Sequence, residues 1–355
     1  IGQPDIKTPP AFFEALGNFN KKVLAYDGSQ GNPELIKAIS NYYKTYNMDF
    51  QDDEILITNG GSEALLFAII ATCDAGDEVL VPVPYWVSYA EQITLAQGIP
   101  VFVETSEENA FKLTVDLLER ALTDKTKVLI LNSPSNPTGL TYSKEELYEI
   151  SQWALNHQVF VIADEIYYEL VHDVPSISVA SLSEEIQNNT LVINGLSKSV
   201  AMTGWRLGYA FGPIEVIRAL NDLTSHTTSN PAAVVQYAAI RAFQEDLQEE
   251  KEAMRRQFQK RIELFHALIQ EIPGMSCVKP GGAFYLFVNI QEAMKIVGVE
   301  TSDAFALKLL EEVGVATVSG ENFGCTGYLR LSCASSEEEL RIAAQRMNQF
   351  VRNYL

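Results

Sequence analysis

Little in this chain of 355 residues points to a metal, a disulfide framework or a membrane. The four cysteines, Cys73, Cys277, Cys325 and Cys333, are scattered and include no C-x-x-C pair. That spacing reads as reduced thiols in a cytosolic protein, and indicates neither a zinc site nor a set of crosslinks. The four histidines, His157, His172, His226 and His266, form no close pair with metal-ligand spacing, so each reads as structural or exposed. The best apolar run, Ala64 to Ala71, falls far short of the ~20 residues a spanning helix needs. Basic residues are scarce too. Lys and Arg total 26 against 46 Asp and Glu, and the formal net charge of −20 argues against nucleic-acid or anionic-membrane partners. A local basic pocket for a small anion remains compatible with it. The chain starts at Ile1 instead of methionine, which offers no direct test for a signal peptide, and cytoplasmic is the default reading.

What is present is an ordinary enzyme composition, 47% hydrophobic and 20% charged, long enough for two domains. Short apolar runs alternate with helical patterns from Glu54 onward. Glu54 to Thr58, Val79 to Pro82, Val101 to Val103, Val128 to Leu131, Val159 to Ala163, Leu191 to Ile193 and Gly208 to Phe211 read as strands. Helices are expected from Asn32-Pro33, from Glu63 to Cys73, around Ser88 to Gln97, near Val115 to Ala121, and after a Ser143/Glu146 capping box. This alternation predicts a mainly parallel sheet covered on both faces, a three-layer α/β/α architecture. After about Phe243 the character changes. A densely charged stretch, Glu245 to Arg261, reads as a long helix leading into a smaller α+β unit. There, strands are expected at Ala283 to Val288, Val315 to Val318 and Tyr328 to Leu331, and a final helix is capped by Ser335 and Ser336. The expected division is 26–243 for the large domain and 244–355 for the small one, with 1–25 an N-terminal segment belonging with the small domain.

In such sheets ligands sit beyond the carboxyl ends of the strands. Four chemical signals fall at that edge: the Gly60-Gly61 turn, the Asn136 loop, Asp164 and the Lys198 loop. A glycine turn opening a helix suits an anion, although a plain strand-to-helix turn looks the same. Asp164, ending a buried strand, needs a cationic partner, either a lysine or arginine or a protonated ring nitrogen. Tyr167, one helical turn on, could set a phenol beside that ring, and Trp86 could stack on its face. Arg206, with Gly61, Ser62 and Ser197, would hold a phosphate. Lys198 would then join an aldehyde as a Schiff base. Ring, phosphate and aldehyde together describe pyridoxal 5′-phosphate.

The chain resembles the fold-type I pyridoxal-phosphate enzymes of the class I/II aminotransferase family, closest to prokaryotic aspartate-aminotransferase-like members. The resemblance is carried by Asn59-Gly60-Gly61-Ser62-Glu63-Ala64, Pro84-Tyr85-Trp86, Asn136-Pro137-Thr138-Gly139 and Ala163-Asp164-Glu165-Ile166-Tyr167. Ser197-Lys198 through Gly204-Trp205-Arg206-Leu207-Gly208, and Tyr328-Leu329-Arg330-Leu331-Ser332, complete it. It implies that Lys198 holds the cofactor and shuttles a proton, and that Asp164 keeps the pyridine nitrogen protonated. Tyr167 and Asn136 would bond the ring oxygen, and Arg330 would grip the substrate α-carboxylate. Gly2 would lie over the substrate. Tyr26 would reach the cofactor phosphate of a partner subunit, making a homodimer part of the expectation. Read without the ordered set, Trp86 could be core, Arg330 a surface ion pair and Tyr26 a plain loop residue.

Two positions depart from the pattern. Some prokaryotic aspartate-type members carry a lysine after the glycine pair, where it helps bind an acidic side chain; here that residue is Ser62. Some have a serine three residues before the lysine; here it is Gly195. The implied activity is ping-pong transfer of an α-amino group from an amino acid to a 2-oxo acid, with aspartate and 2-oxoglutarate the leading pair. Alternatives are a β-lyase on the same scaffold and a non-catalytic, cofactor-binding sensor.

Overall fold

The computed structural model describes residues 2–19, 25–244 and 247–355. Ile1, residues 20–24 of the N-terminal segment, and Glu245 and Asp246 at the start of the charged stretch lie outside the described residues.

Seven strands form the larger sheet: β1 (Ile55–Thr58), β2 (Glu78–Val83), β3 (Ile99–Glu104), β4 (Thr126–Asn132), β5 (Phe160–Asp164), β6 (Thr190–Gly195) and β7 (Gly208–Phe211). Their order is β1-β7-β6-β5-β4-β2-β3. The neighbours from β6 to β3 are parallel, and β7 runs antiparallel to both β1 and β6. Each central strand is apolar on both sides, so alternate residues feed two cores. Leu129, Leu131, Val161, Ala163 and Val192 pack into one core, while Val128, Ile130, Ile162, Leu191 and Ile193 pack into the other. The helix Gly61–Thr72 is apolar nearly all round because it lies between the second of these cores and the outer helix Ile214–Thr227.

The smaller sheet has four antiparallel strands, β8 (Ser276–Cys277), β9 (Tyr285–Asn289), β10 (Val318–Ser319) and β11 (Tyr328–Ser332), in the order β10-β11-β9-β8. Helices Gln248–Gln270 and Glu337–Arg352 cover it through a separate core that includes Phe258, Phe265, Leu286, Leu329 and Met347.

Local signals act where local chemistry decides. Asn32 Oδ1 accepts from the Glu34 and Leu35 amides at the start of the helix Pro33–Lys44. Ser143 and Glu146, and likewise Ser336 and Glu339, close reciprocal capping boxes. The helical turn expected between Asp164 and Tyr167 is instead a turn into the short 3-10 helix Tyr168–Leu170, since the Ile166 amide is taken by the Asp164 side chain. The segment before residue 20 is shared between the cores. Asp5 pairs with buried Arg261 and Ile6 packs on the smaller sheet's core, but the helix Pro10–Gly17 buries Phe12 in the larger one.

Candidate active site

The carboxyl ends of β1, β2, β4, β5 and β6 converge on a cavity of about 550 Å³, within the range of small-molecule sites. Because β7 is antiparallel, its amino end lies at the same edge and brings Arg206 there. Gly2, Gly61, Ser62, Trp86, Asn136, Asp164, Tyr167, Ser197, Lys198, Arg206 and Arg330 all line this one cavity. Tyr26 does not; it is 89% exposed on the outside of the chain.

Lys198 sits in a single helical turn, Leu196–Ser199, that follows β6 directly. Its ammonium donates to the Gly2 carbonyl, so the N-terminal segment is drawn over the cavity. Thr8 Oγ1, 2.7 Å from the Ala201 carbonyl, fastens that segment further along. Burial, then the positive charges of Arg330 and Arg206, depress the Lys198 pKa to about 8, with Asp164 opposing. The result is an amine that is partly free base near neutral pH.

Asp164 continues the inner face of β5. The Tyr89 hydroxyl donates to its Oδ2 at 2.7 Å and the Ile166 amide to its Oδ1 at 3.2 Å. Burial still raises its pKa, since these donors and Lys198 only partly offset the loss of water. A cation placed against it would restore the balance. The next residue, Glu165, points elsewhere: its Oε1 accepts from Ser178 Oγ and the Val179 amide, both at 2.9 Å, and burial pushes its pKa up to about 8. Asn132, the last residue of β4, ties the neighbouring loop down. Its amide group donates to the Asp164 carbonyl at 2.8 Å, and its Oδ1 accepts from the Asn136 amide at 2.8 Å.

Arg330 projects from β11 of the smaller sheet and is 9% exposed. Its Nη1 donates to Asn136 Oδ1 at 2.9 Å, while its Nε is buried without a partner among the described residues. The guanidinium lies 4.6 Å from the Tyr285 ring centre and 5.0 Å from that of Phe323. A fork held by ring faces and one neutral acceptor keeps its charge available for an incoming carboxylate.

At the far side three glycines let backbone meet backbone. A Cβ on Gly208 would stand 2.5 Å from the Gly60 carbonyl carbon and the Gly61 nitrogen, so only glycine allows β7 to touch the turn. Gly60 has a φ of +86° and no side chain to cap the helix Gly61–Thr72, whose first-turn amides face the cavity end. Arg206, itself at a φ of +55°, folds its guanidinium over Gly60, with Nη1 donating to the Thr203 carbonyl at 3.0 Å. Helix terminus and guanidinium together suit a phosphate group. Gly195 is closely confined, with Gly208 Cα and the Leu207 carbonyl each 3.1 Å from where its Cβ would be.

The donor set fits pyridoxal phosphate: an amine, a buried carboxylate with no ion-pair partner among the described residues, a phosphate cradle, and Trp86, whose ring is held edge-on by Tyr89 at 5.5 Å. Pattern reading passed over Tyr89, Asn132, Tyr285 and Phe323, which steady the side chains it singled out. Only Asn132 left a signal, a polar residue ending an apolar strand.

The pattern of the family described as aminotransferase class I and II matches residues 1–347. An aspartate aminotransferase of Geobacillus stearothermophilus is 44% identical over 353 residues, 99% of this chain and 90% of that protein. An asparagine–oxo-acid transaminase of Streptococcus mutans is 43% identical over 355 residues, again 99% of this chain and 90% of the other. The crystal structure of the aspartate aminotransferase from Rhizobium meliloti superposes with a TM-score of 0.94 at 35% identity, covering 99% of this chain and 90% of that one. The chain belongs to the aminotransferase class I and II family and transfers amino groups; the family implies pyridoxal phosphate as its cofactor.

Proposed function

We propose that this member of the class I and II aminotransferases moves the α-amino group of aspartate to 2-oxoglutarate, with Lys198 at the centre of its site. The carrying observation is the cavity in which a depressed lysine, a buried aspartate and two separated arginines meet. Arg206 and the amides of Gly61 and Ser62 take the cofactor phosphate, helped by Ser197. Asp164, positioned by Tyr89, holds positive charge on the ring nitrogen, Trp86 covers the ring face, and Tyr167 and Asn136 donate to the ring oxygen. Bound there, pyridoxal phosphate supplies an electron-accepting ring that stabilises the charge left at the substrate Cα. Lys198 Nζ would be the covalent anchor and the base that takes the Cα proton and delivers one to the cofactor's aldehyde carbon. Arg330, steadied by Asn136, binds the α-carboxylate, and Gly2 closes over the substrate. Ser62 offers no charge to an acidic side chain, so a donor panel with 2-oxoglutarate, scored as kcat/KM, tests the choice of aspartate. Aspartate failing to lead that panel would overturn it. Lys198→Ala should stay folded, lose the borohydride-reducible cofactor link and lose nearly all turnover; normal turnover would refute the central assignment.

The two sheets, each with its own core, support a two-domain division at about residues 243 and 244; the N-terminal segment expected with the small domain is shared, Asp5 and Ile6 meeting that domain while Gly2, Thr8 and the helix Pro10–Gly17 meet the large one. Four free cysteines, and no helix among the described residues long and apolar enough to cross a membrane, fit a cytoplasmic enzyme. The exposed Tyr26 supports a homodimer in which its phenol reaches the partner's phosphate site.

A further inference from the structure

We propose that Tyr285 is a positioning residue of this transaminase: a single side chain from the smaller sheet aims both the Tyr167 phenol and the Arg330 fork. The proposal rests on the reading of the cavity given above.

Tyr285 opens β9 and is completely buried. Its hydroxyl is 2.8 Å from that of Tyr167, with the rings nearly perpendicular at 81°. Burial pushes both phenols above their ordinary range, so both keep their protons at neutral pH and one must donate to the other. When Tyr167 spends its proton on an acceptor in the cavity, Tyr285 is the donor of the pair. It thereby sharpens Tyr167 as a donor, because a hydroxyl that accepts a hydrogen bond gives its own more strongly.

The ring of the same residue carries Arg330. Tyr285 pairs with Ser332 across β9 and β11, and Arg330 with Phe287, so the two side chains are diagonal neighbours in register. The guanidinium lies over the ring at 4.6 Å, and its hydrogen-bond acceptor is the neutral Asn136 Oδ1 at 2.9 Å. Ring contacts and Asn136 therefore fix its direction. A third contact involves Gly2. A Cβ at that position would stand 2.5 Å from the Tyr285 oxygen, so the N-terminal segment reaches Lys198 only by passing this hydroxyl as glycine. Packing against Phe284, 4.7 Å away between ring centres, would be met equally by phenylalanine, and packing alone leaves the hydroxyl unexplained.

The test uses the cofactor-loaded enzyme, Tyr285→Phe and Tyr285→Leu, with near-ultraviolet circular dichroism to verify folding. Two quantities are read: the pH midpoint of the visible absorbance of bound cofactor, and the Kd for maleate, a dicarboxylate with no amino group to give. Tyr285→Phe keeps the ring and loses the donor. The ring oxygen is then less well stabilised as an anion, so the midpoint should rise by about half a pH unit while maleate binding stays within about twofold. Tyr285→Leu removes the ring face as well, and its Kd for maleate should rise about tenfold. An unmoved midpoint in Tyr285→Phe, or equal loss of maleate binding in both variants, overturns the proposal. Native protein that forms no visible chromophore on reconstitution instead brings down the reading of the cavity itself, which separates the two failures.

Discussion

At the scale of single residues, burial and then charge repulsion tune Lys198. With a pKa of about 8, roughly a quarter of the amine is free base at pH 7.5, against about one part in a thousand for an ordinary lysine. Only the neutral amine attacks an aldehyde. The rate at which cofactor-free protein captures pyridoxal phosphate should therefore climb with pH and level off above about 8, measured by stopped-flow absorbance. A rate still climbing tenfold per unit to pH 10 would show an unperturbed lysine. Lys198 was legible only through the set of motifs around it, because a lysine near a glycine is common in loops and the acid, the phosphate fork and the carboxylate fork elsewhere in the chain give it meaning. The contacts that tune and steady the site were not. Arg330 was read from its own motif, but its charge acts on a lysine 132 positions away in sequence, and the Tyr89 donor to Asp164 lies in a stretch read only as helix.

At the scale of elements, the phosphate cradle is a meeting of three backbones. The glycine turn after β1, the start of β7 and the last residue of β6 approach closely, and at Gly208 the backbone of the turn excludes a side chain. Gly208→Ala would force its methyl into the Gly60 carbonyl carbon and the Gly61 amide, neither of which can rotate away. It should cost about 2 kcal/mol or more in chemical denaturation and weaken cofactor retention after gel filtration. Native-like stability with full retention would mean that the turn and β7 can separate freely. Caps and turns of this kind were readable because they are decided within four or five residues, as the Ser143 and Ser336 boxes show. The direction of β7 was not, since an apolar run of four residues looks the same parallel or antiparallel.

At the scale of the whole molecule, the site is shared. The larger sheet supplies the lysine, aspartate and cradle, and the smaller one supplies Arg330 and Tyr285. The proposed dimer adds Tyr26 from outside. Light scattering should give twice the chain mass of 39.4 kDa. Tyr26→Phe should raise the cofactor Kd roughly tenfold, about the loss of one charge-assisted hydrogen bond, without altering that mass. A monomeric mass with tight cofactor binding would refute the shared site.

Strand and helix alternation, the capping boxes and the run of motifs from Gly60 to Arg330 were determined by the sequence alone, because each depends on neighbours a few residues apart or on a residue type that one chemistry requires. Folding decided the rest. The antiparallel β7 turned Arg206 toward the turn, and the register of β9 with β11 set Tyr285 beside Arg330. The bond from Lys198 to the Gly2 carbonyl brought the N-terminal segment to the cavity. Those contacts join residues tens to hundreds of positions apart, where packing, and no local preference, fixes which side chains meet.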